Sequence, residues 1–431
     1  MTEIISAGAD PAVNAGKPFR AVTAGCYISY VVQAIVNTFV PLLFVEFSRE
    51  FGITLGQLTL LTSVNFVIQL LVDLISVKFV DRIGYRASMI IAHSFAFSGI
   101  ASLFWLPDVL PGHFAGLMIC MFLYACGGGL LEVLVSPIID AVPSSHKEAQ
   151  MSMLHSFYCW GHAGVVLLST LFFVAFGVSE WRILALIWSI VPLVTGIMFI
   201  KIRMPDMSIS AAQDRENASE GEPELSGARP KLLKRLLTSG TFWLFFAMMF
   251  FSGSAEQSIA QWVSAFAEAG LGINKSLGDV AGTLMFALTM GTSRLIFGIA
   301  GKKLSLRRFM TVSICACILL YAGIITVPVP VIKLIFCGLC GFSVGIFWPG
   351  SFSLASGRLQ GFGTPMFALL ALAGDLGCFA GPGLVGLVSG IFGGNILTGI
   401  GAAIIFPLGL LLVLFKSGRG YDKIEGGKRI D

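Results

Sequence analysis

The chain has 431 residues, of which 56% are hydrophobic and 12% charged, with a formal net charge of +4 and a mean hydropathy of +0.86. A water-soluble chain of this length would form two or three domains and expose far more charge, so that class is excluded. What remains is an all-α membrane protein, since ~20 apolar residues suffice for one helical crossing and such runs recur along the chain.

The first twenty residues contain no apolar core and no cleavage pattern, so the first span is expected to act as the insertion signal. Apolar runs bounded by charges and turn residues predict spans over 21–45, 57–78, 87–106, 114–139, 153–176 and 181–201. Residues 203–237 break the pattern, with Asp206, Asp214, Glu216, Glu220, Glu222 and Glu224 set among Gly, Ser and Pro. That composition predicts a charged linker. Its end, Lys231-Leu-Leu-Lys-Arg-Leu-Leu237, reads as a short basic amphipathic helix on the membrane surface. A second set of runs follows over 240–264, 279–300, 308–328, 331–355, 366–392 and 395–415. The expected organisation is therefore a six-helix bundle over 1–203, a cytoplasmic linker over 204–238, and a second six-helix bundle with a short tail over 239–431. Lys78, Arg82, Arg86, Lys147, Lys201, Lys302, Lys303, Arg307, Arg308, Arg358 and Lys416 fall in alternate connections, whereas the others hold only Arg49, Arg182, Lys275 and Lys333. This bias predicts that both termini face the cytoplasm.

Several classes of chemistry are poorly served. All nine cysteines lie in apolar runs, and the Cys337-Gly-Leu-Cys340 pair has no histidine or charge beside it. No metal site and no cofactor are expected. The chain lacks a Walker loop, a G-x-S-x-G elbow and any metal-spaced histidine cluster, which argues against an enzyme or an ATP-driven pump. Its basic residues sit in short loops, so no nucleic-acid partner is expected; the partners are the lipid bilayer, a small solute and protons. A single chain is expected to suffice.

Ionisable groups at mid-bilayer cost a few kcal/mol, so each one invites a functional reading. Glu132 lies well inside the fourth span. A carboxyl in a poorly hydrated cavity favours its protonated form, as a proton carrier requires. His155 and His162, seven apart on the fifth span, share a face, and His155 is a candidate relay to Glu132. Ser29, Gln33 and Asn37 repeat every four residues in the first span, as Asn65, Gln69 and Asp73 do in the second. Glu256, Gln257, Gln261 and Trp262 cluster in the seventh, where two amides beside a ring suit a polar, largely neutral solute. Gln33, Asn37, Glu256, Gln257, Gln261 and Trp262 are thus the expected substrate contacts; the bland alternative is interhelical packing of polar groups. Arg294 lies about one turn before an inner loop, close enough that its side chain could snorkel there. Asp375 sits among Gly374, Gly377, Gly381 and Gly383, with the loop arginines or Arg294 as candidate partners.

The two halves repeat. Val77-Lys-Phe-Val-Asp81-Arg82-Ile-Gly84-Tyr-Arg86 matches Gly298-Ile-Ala-Gly-Lys302-Lys303-Leu-Ser305-Leu-Arg307 at an offset of 221 (302 − 81), and Asp73 matches Arg294 at the same offset (294 − 73). The segment from His155 to Gly164 resembles that from Asp375 to Gly383 at an offset of 220 (375 − 155). Two six-span repeats joined by a polar loop are the organisation of a secondary carrier that rocks one half against the other. The loop Asp81-Arg82-Ile-Gly84-Tyr85-Arg86 resembles the G-x-x-x-D-R-x-G-R-R signature of the major facilitator superfamily, with Val77 in place of the first glycine and Tyr85 in place of the first closing arginine. The resemblance implies twelve transmembrane helices and a gating role for Asp81, Arg82 and Arg86 through charge contacts with neighbouring helices; Asp73, Arg294 and Asp375 are read as gating residues with them. Within the superfamily, Gly127-Gly-Gly-Leu-Leu-Glu132 and the segment from Gly345 to Ala355 resemble the fucose-permease-like sugar:proton symporters. The first-span acid of that group is missing here. The expected activity is proton-coupled movement of a sugar-like solute or similar metabolite across a bacterial inner membrane; the alternative is proton-driven efflux of drugs or metabolites.

Overall fold

The computed structural model describes residues 19–53, 55–110, 112–205, 228–263, 266–267, 279–301 and 303–419. The described residues are almost entirely helical. The helices are α1 (Arg20–Leu42), α2 (Phe44–Phe51), α3 (Leu55–Ile83), α4 (Tyr85–Ser102), α5 (Leu106–Val109), α6 (His113–Ala141), α7 (Lys147–Phe176) and α8 (Trp181–Lys201). After the linker come α9 (Ala228–Thr238), α10 (Gly240–Ala260), α11 (Met285–Ala300), α12 (Leu306–Thr326), α13 (Pro330–Val344), α14 (Phe347–Arg358), α15 (Gly363–Ile391), α16 (Ile396–Ala402) and α17 (Ile405–Arg419). Most of the linker lies outside the described residues.

Among the described residues, nine helical segments are long and apolar enough to cross a membrane, against the twelve crossings predicted. The other three expected spans coincide with α3, α4 and α10. Polarity is what sets α4 and α10 apart: α4 carries Arg86, His93 and four serines, and α10 carries Ser252, Ser254, Glu256, Gln257 and Ser258. These polar groups are mostly buried against neighbouring helices rather than turned to lipid.

Local chemistry sets where helices begin and end. Gly84 joins α3 to α4 at φ +85, a left-handed conformation that a side chain would strain. Its repeat-mate Ser305 has an ordinary φ of −70, so the second loop needs no glycine. Ser239 caps α10 by accepting from the Phe242 N–H at 3.4 Å, and Asn395 caps α16 by accepting from the Leu397 N–H at 3.1 Å. The tenth span, expected over 331–355, is broken between α13 and α14 around Gly345 and Ile346.

The chain divides into two compact units, Met1–Ser219 and Glu220–Asp431. In the first, α1 packs on α6, α7 and α8; α6 also packs on α3 and α4, and α4 on α8. In the second, α10 packs on α13 and α14, on α15 and on α17; α13 also packs on α11 and α12, and α12 on α17. Numbered by expected span within each half, the two sets comprise the same six pairings: first with fourth, fifth and sixth, second with fourth, and third with fourth and sixth. The repeat read from the sequence therefore has a counterpart in packing.

Candidate functional site

In the first unit the polar stripes converge. Gln33, only 2% exposed, donates from Nε2 to Glu132 Oε2 at 3.3 Å and to Gln69 Oε1 at 3.4 Å. Gln69 in turn donates from Nε2 to Asn37 Oδ1 at 3.0 Å. Amides from α1 and α3 and the half-buried carboxyl of α6 thus form one hydrogen-bonded network. Asp73 lies fully buried one turn beyond Gln69.

The glycine run before Glu132 explains how three helices come so close. Successive helical residues point about 100° apart, so Gly127, Gly128 and Gly129 face three different neighbours. A Cβ on Gly127 would lie 2.5 Å from the Ala96 nitrogen of α4, and one on Gly128 3.1 Å from Gln33 Oε1 of α1. On Gly129 it would lie 3.1 Å from the Gln69 Cα of α3. Gly128 and Glu132 are one turn apart and share a face, which places the carboxyl opposite Gln33.

The histidines line the same unit. His155 is buried with its ring 5.0 Å from that of Tyr30, whose hydroxyl lies 3.1 Å from Ser136 Oγ. His162 Nδ1 lies 3.0 Å from Thr38 Oγ1. His93 escaped the sequence reading. It is 1% exposed on α4, donates from Nδ1 to the Met89 carbonyl at 2.7 Å and places Nε2 3.2 Å from Ser29 Oγ. A lone histidine in an apolar run was the available signal, and its partner 64 residues away was not visible locally.

The second unit carries a buried ion pair. Arg294 Nη2 of α11 lies 3.4 Å from Glu256 Oε2 of α10, at 3% and 8% exposure. The arginine turns inward and does not snorkel. Its Nε donates to the Gly345 carbonyl at 2.7 Å. Pro349, four residues on, has no N–H to offer that carbonyl, so the break between α13 and α14 supplies an acceptor that the guanidinium fills. Gln257 Nε2 donates to Glu256 Oε1 at 3.4 Å, and Gln261 Nε2 to Gln257 Oε1 at 3.3 Å. Gln261 and Trp262 lie in the turn that directly follows α10 rather than in the helix itself. The Trp262 indole donates to the Pro382 carbonyl of α15 at 3.1 Å, which fixes its ring against that helix. Asp375 is half-buried on α15, where Gly377 and Gly381 lie directly against α10.

At the α3–α4 loop, Arg82 is exposed and the side chain of Asp81 lies outside the described residues. Arg86 donates to the Ile200 carbonyl at 2.9 Å and the Ile202 carbonyl at 2.8 Å, where α8 ends. Its repeat-mate Arg307 donates to the Leu414 carbonyl near the end of α17 at 2.5 Å. In the first unit this arginine satisfies end carbonyls of the last helix, a favourable placement of a cation at the negative end of the helix dipole; in the second, Leu414 lies five residues before the end of α17 and its carbonyl also accepts from Ser417 Oγ at 2.7 Å. Among the described residues no three His, Cys, Asp or Glu side chains are grouped to hold a metal ion.

Residues 26–382 match the family model described as Major Facilitator Superfamily. The chain belongs to that superfamily. It is accordingly a multi-pass membrane transporter. Among solved structures it is similar to FucP in the outward conformation, at a TM-score of 0.75 and 13% identity, covering 93% of this chain and 99% of that one. A substituted form of the same protein, the E. coli fucose:proton symporter, gives a TM-score of 0.74 and 15% identity over 93% and 99% of the two chains. The proton:xylose symporter XylE, bound to 6-bromo-6-deoxy-D-glucose, gives 0.75 and 11% over 93% and 95%. At these identities the likeness is one of fold. No curated protein matches the sequence.

Proposed function

We propose that this transporter is a secondary carrier that moves a small polar, sugar-like solute by alternating access, with proton coupling through Glu132. The observation that carries the reading is the network joining Gln33, Asn37, Gln69 and Glu132. Its amides present donors and acceptors suited to hydroxyl groups, while one half-buried carboxyl within hydrogen-bond reach can hold or release a proton. Protonation of Glu132 would remove the acceptor charge that Gln33 Nε2 now meets and free the amide for solute. In the second unit, the chain of Glu256, Gln257 and Gln261 offers further amide contacts, with the Trp262 ring beside them. The fold shared with two sugar:proton symporters supports the same solute class.

In this reading both termini are cytoplasmic, the protein works as a monomer in a bacterial inner membrane, and His155 assists proton transfer near Tyr30. Asp73, Asp81, Arg82, Arg86, Arg294 and Asp375 serve gating, with Arg86 and Arg294 acting through the helix-end and helix-break carbonyls they hold. The test uses proteoliposomes with fucose, xylose and a nucleoside as probes. Glu132→Gln should abolish accumulation driven by a pH gradient while exchange of labelled solute persists. Retained accumulation in that variant would refute the coupling role. Uptake of none of the probes, together with stabilisation by amphipathic cations alone, would favour efflux.

A further inference from the structure

The first unit carries a second feature, remote from the polar network. An open groove of about 620 Å³ runs between the start of α1 and the end of α8, lined by Ala21, Val194, Ile197, Met198, Lys201, Ile202 and Arg203. Val194, Ile197, Met198 and Lys201 follow the spacing of one helix face. Seven residues separate Val194 from Lys201, so this apolar strip extends about 10 Å along the helix away from the charge. Val194 and Ile197 are half exposed, at 50% and 52%.

Among the described residues, no acid pairs with the charged end of the groove. Lys201 and Arg203 are exposed, and neither makes an ion pair among the described residues. They are not needed to cap α8 either, because Arg86 already holds the Ile200 and Ile202 carbonyls. That guanidinium adds a third positive charge at the same corner, and Arg20 immediately precedes the lining residue Ala21. Among the described residues, no acid lines the groove.

We propose that this groove is a binding site for an anionic glycerophospholipid, with its phosphate held by Lys201 and Arg203 and an acyl chain lying along Val194, Ile197 and Met198. The apolar strip belongs in hydrocarbon and the two cations lie where the helix leaves it, the order in which a lipid presents chain and headgroup. The volume falls in the range of small-molecule sites. A phosphate offers charge-assisted acceptors to both side chains, whereas a zwitterionic headgroup brings its own competing cation.

The test is lipid titration of the purified full-length protein in detergent, with bound copies counted by native mass spectrometry. Phosphatidylglycerol should bind more tightly than phosphatidylcholine. A Lys201→Gln/Arg203→Gln variant should bind it roughly twenty-five-fold more weakly, at about fivefold or 1 kcal/mol per charge near the surface. Ile197→Trp, which fills the groove and leaves both charges in place, should also reduce the bound copies. The control Lys303→Gln/Arg308→Gln, which removes two charges in the other unit, should leave binding unchanged. Equal binding of the two lipids would overturn the proposal, as would a less than twofold effect of the charge variant or an equal effect of the control. Full competition by glycerol phosphate would also overturn it, by showing that the cations bind phosphate without the chain. The charge variant alters exposed side chains only, so it remains informative if the tryptophan variant misfolds.

Discussion

The Arg294–Glu256 pair makes the strongest quantitative prediction. Arg294→Met removes the cation, leaves the Glu256 carboxylate buried without it, and strips the Gly345 carbonyl of its 2.7 Å donor. Removing one member of a buried ion pair costs about 3–5 kcal/mol, because the surviving charge stays desolvated. Glu256→Gln should fall near the lower end of that range, at about 3 kcal/mol, since the new amide still offers an oxygen to the guanidinium. The double variant leaves no charge of this pair behind and should lose only about 1–3 kcal/mol, chiefly for the orphaned carbonyl. For a unit of this size 1 kcal/mol corresponds to roughly 2–4 °C, so each single variant should melt ~6–20 °C lower and the double should recover much of that loss. Thermal unfolding in detergent, followed by the fluorescence of the seven tryptophans, reads the shifts. A cost under about 1 kcal/mol for Glu256→Gln, or a loss in the double variant equal to the two singles added together, would refute a coupled buried pair.

Three further outcomes follow from the same geometry. Gly127→Val should destabilise the protein by at least about 1–3 kcal/mol, because its side chain would overlap the α4 backbone at Ala92 and Ala96; Gly164→Val, in open space, should be tolerated by comparison in the same melting assay. Arg307→Met should cost about 0.5–1.5 kcal/mol through the lost bond to the Leu414 carbonyl, which keeps its bond from Ser417 Oγ, and Arg307→Lys should restore part of it, as judged by detergent melting curves. A sugar present at ~100 times its dissociation constant should add about 2.7 kcal/mol to the wild type, and Gln257→Ala or Gln261→Ala should diminish that gain. An undiminished shift in both would remove these amides from the substrate site.

Much of the architecture is written in local composition. A run of ~20 apolar residues must become a helix in lipid whatever its neighbours are, so nine of the spans among the described residues could be read directly, and the repeat has its counterpart in the matching pairings of the two units. The polar stripes at Gln33 and Asn37, at Gln69, and at Gln257 and Gln261 were legible for a similar reason, since a spacing of four sets the helix face. The breaks were less so. Helix α10 gives way to a turn after Ala260, and the tenth span divides near Gly345, because turns and proline-freed carbonyls are settled by partners from other helices.

Which polar group meets which was not in the sequence. Gln33 and Glu132 are 99 residues apart, Ser29 and His93 64, and Arg294 and Glu256 38. Helical periodicity fixes a residue's face but says nothing of the depth and rotation at which two helices pack. Those were decided by close contacts such as Gly127 on α4, Gly128 on α1 and Gly129 on α3. The same packing turned Arg294 inward to a carbonyl and a carboxylate, where its position near a basic loop had suggested the membrane surface. Composition thus determined that the chain spans a membrane in two related halves, while tertiary packing decided which buried charges and amides share a partner, because that pairing depends on distances between helices and not along them.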